Sequence, residues 1–275
     1  MADTKISDMT ANTLLRSDSR VPFVIPGDAG NFRVNIDELL FRHRVQWSQA
    51  SGSAIEHTNW TLSAGVSGVA QIVAPATSLL AGSARIRYTS AGNINSAASL
   101  RDDTTTSAYT GVYRNASGSA LNGGFSTFFR IGFPTVRADQ RILVGYRRAS
   151  VAAWTTAEPS AFLDIIALAA DEADTNIQIM HNDAAGTATK INLGITKASL
   201  AGKVLELTLY APPAGATVYY DLYVVDDNAR FAGNFNTNLP AADTLLGIIV
   251  AVNTGATTST AVAHELLRVV QSTRF

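Results

Sequence analysis

Carboxylates are the residues of this chain whose spacing could do chemistry. They cluster at Asp102-Asp103, Asp171-Glu-Ala-Asp174 and Asp226-Asp227. Cleavage of a glycosidic bond takes two opposed carboxyls about 5 to 9 Å apart across a cleft. Asp226-Asp227-Asn228 follows a strong strand pattern and reads as a hairpin turn. Asp171 to Asn176 joins two strand patterns and offers several oxygens, the kind of loop a hard cation takes. It lacks the Gly and the terminal Glu of a calcium-binding helix-loop-helix motif. The clusters therefore read first as solvated turns, with Asp171, Asp174 and Asp226 kept as candidate receptor-recognition residues.

Aromatic faces are the other requirement of sugar recognition. Trp47, Trp60 and Trp154 read first as core or subunit-interface residues. Trp154 precedes Thr155-Thr-Ala-Glu-Pro159, which is loop chemistry, so it is expected to be the most exposed of the three and joins the recognition candidates. His43, His57, His181 and His264 are isolated, and surface or sheet-edge roles are expected of them. In Glu56-His57 and His264-Glu265 the neighbours face opposite ways if they lie on strands, which argues against metal pairs. There is no phosphate loop, zinc-protease motif, dinucleotide fingerprint or nucleophile elbow. The chain has no Cys, which excludes disulfides, thiolate metal sites and Cys nucleophiles. These observations lead to a protein that is not an enzyme, with no catalytic residue, metal site or cofactor.

Composition agrees with a packing role. The chain is 47% hydrophobic and 16% charged, against about 25% charged in a typical soluble domain. Net charge is -1 but uneven: residues 81–150 hold nine Arg against three acidic residues, and residues 151–250 hold eleven acidic against four basic. Such opposite patches can match between subunits or between the sheets of one domain. The arginines are scattered among aliphatics, so no nucleic-acid partner is expected. The longest apolar runs, such as Leu245 to Val252, fall far short of the roughly twenty residues of a membrane helix, so membrane insertion is not expected. The start, Met1-Ala-Asp-Thr-Lys-Ile, lacks the basic stretch and apolar run of a signal peptide.

The elements that must position these residues fall into two parts. Residues 1–45 carry small apolar clusters, Val21, Phe23 and Ile25 and then Ile36, Leu39 and Leu40. Pro22 and Pro26 suit a short extended edge segment, and Asn35 or Asp37 can cap a short turn carrying Leu39 and Leu40. These clusters are too small to form a core alone, so they are candidate attachment and interface residues. Residues 46–275 show ten or more short strand patterns divided by small-residue turns, among them Ala84–Tyr88, Val204–Tyr210, Thr217–Val225 and Leu245–Val252. Gly124–Gly132 and Gln140–Tyr146 look like a facing pair. The fold class is all-β: an antiparallel β-sandwich, jelly-roll or concanavalin-like, preceded by a short extended N-terminal segment.

The opening, Ala2 to Thr10, Val21 to Gly27 and Val34-Asn-Ile-Asp-Glu-Leu-Leu40, resembles the start of many bacteriophage tail proteins. The body resembles lectin-like sandwich domains of phage tail and appendage proteins at Gly123–Gly132, Arg141–Tyr146, Leu205–Pro213 and Tyr219–Val225. The resemblance implies a virion structural protein of a tail fibre or appendage, made in the host cytoplasm. It would dock onto other virion proteins through residues 1–45 and present a homotrimeric sandwich. There are no β-helix repeats, collagen-like repeats or heptad shaft, which leaves a capsid or tail decoration subunit open. The alternative is an adhesin that binds a host receptor or surface glycan. The family defines no carbohydrate-binding motif, so no binding residue carries over.

Overall fold

In a computed structural model the chain forms two compact units, Met1–Arg44 with Phe275, and Val45–Arg274. The structure describes backbone at 20–23, 32–35, 43–51, 54–55, 60–62 and 68–71, and then residues 79–83, 85–102, 112, 114, 123–148, 154, 156–213 and 215–274. In the first unit β1 (Arg20–Phe23) pairs antiparallel with β2 (Phe32–Asn35), with Pro22 opposite Arg33. Each strand of such a pair is an edge, which is where a strand tolerates Pro.

The second unit continues with β3 (His43–Ser51), β4 (Ala54–Ile55), β5 (Trp60–Leu62), β6 (Gly68–Gln71), β7 (Arg85–Thr89) and β8 (Ala97–Asp102). Then come β9 (Gly123–Gly132), β10 (Arg141–Arg148), β11 (Ile165–Ala170), β12 (Asn176–Asn182), β13 (Thr189–Thr196) and β14 (Val204–Ala211). The last four are β15 (Val218–Val224), β16 (Ala229–Phe235), β17 (Leu246–Asn253) and β18 (Ala263–Arg274). The first sheet runs β13-β12-β11-β10-β17-β8-β5. The second runs β16-β15-β14-β9-β18-β3-β4, with β7 also on β18 and β6 on β7. The strand pairs are antiparallel. Among the described residues no helix is long and apolar enough to cross a membrane.

Alternation makes the sandwich. Leu205, Leu207 and Leu209 of β14 and Tyr220, Leu222 and Val224 of β15 point inward. They meet Val144 and Tyr146 of β10, Ile166 and Leu168 of β11, and Val250 of β17 in one core. Each such aliphatic side chain contributes about 1.5–3 kcal/mol by leaving water. The Tyr146 hydroxyl, deep in this core, hydrogen bonds to Thr127 and accepts from Gln271 Nε2 at 3.2 Å. The facing pair of the sequence is thus realised across the core: β9 and β10 lie in opposite sheets and are not hydrogen-bonded neighbours. Strands β2, β3, β4, β8, β13 and β16 were not expected.

The first sheet is buried on both sides. Every residue of β11 and β17 is buried, because Trp154 and Phe162 pack over Leu143, Ala167, Ala169, Ile249 and Ala251 on its outer face. The Arg147 guanidinium stacks 3.7 Å from the Phe162 ring centroid and holds the covering segment down. The outer face of the second sheet, by contrast, stays partly open.

Candidate functional site

The residues singled out in the sequence are mostly engaged by their own chain. Asp171 accepts from the Ser160 backbone N–H at 2.9 Å, from Ser160 Oγ at 2.6 Å and from Lys190 Nζ at 2.7 Å. Asp174 accepts from the same ammonium at 2.8 Å and from the Asp171 backbone N–H at 2.9 Å. Burial pulls the Lys190 pKa down, but the hydrogen bonds and charges of Asp171 and Asp174 outweigh it, so the net shift is upward. The structure therefore gathers Asp171 and Asp174 around one lysine and ties them to the segment that covers the first sheet. Asp226 belongs to the β15–β16 turn, where it accepts from the Val204 backbone N–H at 2.8 Å and caps the start of β14. As expected, Asp226-Asp227-Asn228 makes the turn, with Asn228 at φ 51°.

Trp154 requires a correction. Its indole is only 3% exposed, packs edge-on against Phe162 and donates Nε1–H to the Ala157 carbonyl at 2.8 Å. A buried ring offers no face to a sugar. The histidines also depart from expectation: His181 and His264 are 1% and 0% exposed. His264 stacks on Tyr88, while Glu265 turns the other way to Arg85 and Arg87. Val21 and Phe23 lie on β1, whose backbone alone is described. Ile25, Ile36, Leu39 and Leu40 lie outside the described residues.

The uneven charge is matched within the chain. Arg130, Arg141 and Arg148 from the Arg-rich third pair with Glu206, with Glu158 and Glu172, and with Asp164 from the acidic stretch. Arg141, 4% exposed at its side chain, also donates to Asn95 Oδ1 at 2.9 Å. Glu172 accepts from the Ala256 backbone N–H and from Thr257 as well. This end of the sandwich is a closed polar network with few groups left to offer a ligand.

The open outer face of the second sheet is different, and its pattern follows from register. One row across the strands is Arg230, Tyr223, Glu206, Arg130 and Arg268 on β16, β15, β14, β9 and β18. The next is Ala232, Asp221, Thr208, Phe128 and Val270, and the third is Asn234, Tyr219, Tyr210, Ser126 and Ser272. Tyr210 and Tyr219 lie side by side, ring centroids 5.9 Å apart and planes tilted by 32°. Both are half-buried, and neither hydroxyl has a hydrogen-bond partner among the described residues. Burial, with the neighbouring Tyr219 phenol, raises the Tyr210 pKa, so the hydroxyl stays protonated and can donate. Arg230 Nε donates to Asp221 at 2.8 Å, and Tyr223 donates to Asn228 at 2.8 Å. Over the β7 end of this face stands the 79–83 turn, with Leu80 packed above Gly132 and against Val204 and Leu267. The arrangement is a floor of aromatic rings and short polar side chains with a wall at one end.

Sequence reasoning missed this face although half of it was visible. Tyr219, Asp221 and Tyr223 alternate with the inward residues of β15, as Glu206, Thr208 and Tyr210 do on β14. The short turn after Pro212-Pro213 makes those two strands neighbours.

No protein-family model and no curated sequence matches the chain. Several solved structures do resemble it. Peanut lectin superposes with a TM-score of 0.53 at 13% identity, over 85% of this chain and 98% of that one. Lectin II from Ulex europaeus gives 0.52 at 10% identity, over 84% and 99%. The Emp47p carbohydrate recognition domain gives 0.51 at 13% identity, over 84% and 95%. At such identities the likeness is one of fold: the chain is a lectin-like β-sandwich.

Proposed function

We propose that the sandwich binds glycans on the open face of its second sheet, with Tyr210 and Tyr219 as the stacking floor. The observation that carries this reading is that ring pair, set beside Asn234, Ser126 and Asp221. The C–H face of a pyranose lies against an aromatic ring, while its hydroxyls take the phenol, amide and hydroxyl groups around it. Tyr, Ser and Asn together give adaptable hydrogen bonding at low conformational cost. The lectin-like fold supports the reading, and no bond cleavage is involved. The resemblance of residues 2–40 to tail proteins adds that Val21, Phe23, Ile25, Ile36, Leu39 and Leu40 would hold the chain on a virion, where a trimer would present three such faces. That part rests on the sequence alone.

A glycan array probed with the full chain tests the reading. The double substitution Tyr210→Ala and Tyr219→Ala should cut binding at least about tenfold, on the order of 1.4 kcal/mol, with an unchanged melting profile. Retained binding in a folded double variant would remove this face from the site.

A further inference from the structure

We propose that this face binds an extended, uncharged, β-linked glycan chain rather than a single terminal sugar, with Phe128 as the third stacking ring beyond Tyr219 and Tyr210. The proposal rests on the glycan-binding reading above and names the class of ligand.

Phe128 lies on β9 between Thr127 and Phe129, both wholly buried, so alternation turns its ring to the outer face. The ring is half-buried there and belongs to none of the apolar clusters formed by the described residues. One such ring alone would mean nothing; its position relative to the tyrosines gives it meaning. Phe128 pairs with Thr208 across β9 and β14, and Tyr210 pairs with Ser126. Phe128 is thus the diagonal neighbour of Tyr210, about 7–8 Å away by strand geometry, and Tyr210 directly faces Tyr219 on β15. The rings cross β15, β14 and β9 in one slanting stripe. At the two ends of these rows stand short side chains, Ala232 and Asn234 on β16 and Val270 and Ser272 on β18. From β16 to β18 the two rows carry a single charged side chain, Asp221, which accepts from Arg230 Nε at 2.8 Å. Neither row has a cation to hold an acidic sugar, whereas phenol, amide and hydroxyl groups suit neutral hydroxyls.

Neighbouring strands lie about 4.8 Å apart, close to the advance of one pyranose along an extended chain. A chain that crosses the strands therefore sets successive sugars over successive rings. Tyr219 and Tyr210, with centroids 5.9 Å apart, take the first part of it, and Phe128 takes the far end. Stacking over all of these rings needs a flat chain with bare C–H faces. Equatorial β-linkages give that shape, and the curl of an α-linked chain does not. Phe128 has no hydroxyl, so its part is stacking alone, and Thr208 beside it supplies a hydroxyl for hydrogen bonding.

Full-length protein is titrated with cellobiose, cellotriose, cellotetraose and cellohexaose, and with the maltose series of the same lengths as the curled control. Carboxymethyl cellulose against hydroxyethyl cellulose supplies the charge control. Affinity should rise about fivefold to tenfold from cellobiose to cellotetraose, the scale of one further aromatic contact, with no such step in the maltose series. Phe128→Ala should remove the step and leave cellobiose binding unchanged. Phe128→Trp should steepen it, a gain that a misfolded variant cannot mimic. Carboxymethyl cellulose should bind no tighter than its neutral partner. Equal, tyrosine-dependent binding at every length would overturn this proposal and leave the glycan-binding reading standing. An equal step in the maltose series, tighter binding of the acidic polymer, or no binding of the cellobiose series would overturn it as well. Loss of all glycan binding on the array, by contrast, would remove the reading beneath it.

Discussion

His264 lies wholly within the core with its ring centroid 5.2 Å from that of Tyr88, and neither ring nitrogen has a hydrogen-bond partner. Burial holds its pKa down to about 3. An unfolded histidine takes a proton near 6.5. Between those values the unfolded chain binds a proton that the folded chain refuses, so folding stability rises with pH through that window and falls as the solution is acidified below it. His181, stacked on Phe235, is also depressed, by burial in the first place, with its hydrogen bond to the Asn238 carbonyl pulling the other way. The expected outcome is a loss of about 1.4 kcal/mol per pH unit from His264 once the pH drops below 6.5, with His181 adding to it in the same direction. Urea midpoints at pH 7 and pH 5 read this directly. His264→Phe keeps a ring against Tyr88 and should flatten the dependence to the share of His181, whereas an unchanged slope would show that other groups set it.

Between β13 and β14 the chain crosses from one sheet to the other through a short 3-10 turn, Lys197–Leu200, and the lysine of that turn fixes three connections at once. Its ammonium is buried and donates to the carbonyls of Gln140, Asp171 and Glu172 at 3.1, 2.9 and 3.0 Å. Burial lowers its pKa, and the nearby carboxylates, Asp174 first, push back. Lys197→Met fills the space but leaves three carbonyls without their donor, so a loss of about 2–4 kcal/mol is expected. Amide exchange should quicken first in 137–140 and 171–175. Uniform quickening would mean that the lysine stabilises the fold globally rather than tying loops. Elements of this kind mark the limit of what the sequence discloses. Strands such as β14 and β15 declare themselves by alternation, and Asp226-Asp227-Asn228 by its turn chemistry. β13 also alternates, at Ile191, Leu193 and Ile195, but Asn192 and Gly194 between them dilute the signal. The apolar run Ile165–Ala170 signals a strand covered on both faces. That run implies a covering segment, yet nothing local to Trp154 says that it is the cover. Tyr210 beside Tyr219 follows from one hairpin. Arg130 opposite Arg268 follows only from the sheet order, which joins strands far apart in the chain.

On the glycan-binding reading proposed above, a single open sheet face with a few sugar contacts would bind weakly, and repetition of the molecule would supply the strength. Linked sites gain about 10²–10⁴ in apparent affinity without any new contact. Residues Met1–Arg44 form a compact unit distinct from Val45–Arg274, and their apolar clusters resemble an attachment segment. This separates two quantities that one experiment can read. Full-length protein should scatter light as three times the 29.1 kDa chain, whereas a chain beginning at His43, which keeps β3 whole, should fold and be monomeric. Both should bind a soluble oligosaccharide with the same affinity, because the site lies wholly on β9, β14, β15, β16 and β18. On a densely coated surface only the longer protein should show the multivalent gain. A monomeric full chain would mean that repetition comes from the particle that carries it, and the difference on the surface would vanish. Failure of the shorter chain to fold would make the first forty residues part of the sandwich and end the reading of them as a separate attachment device.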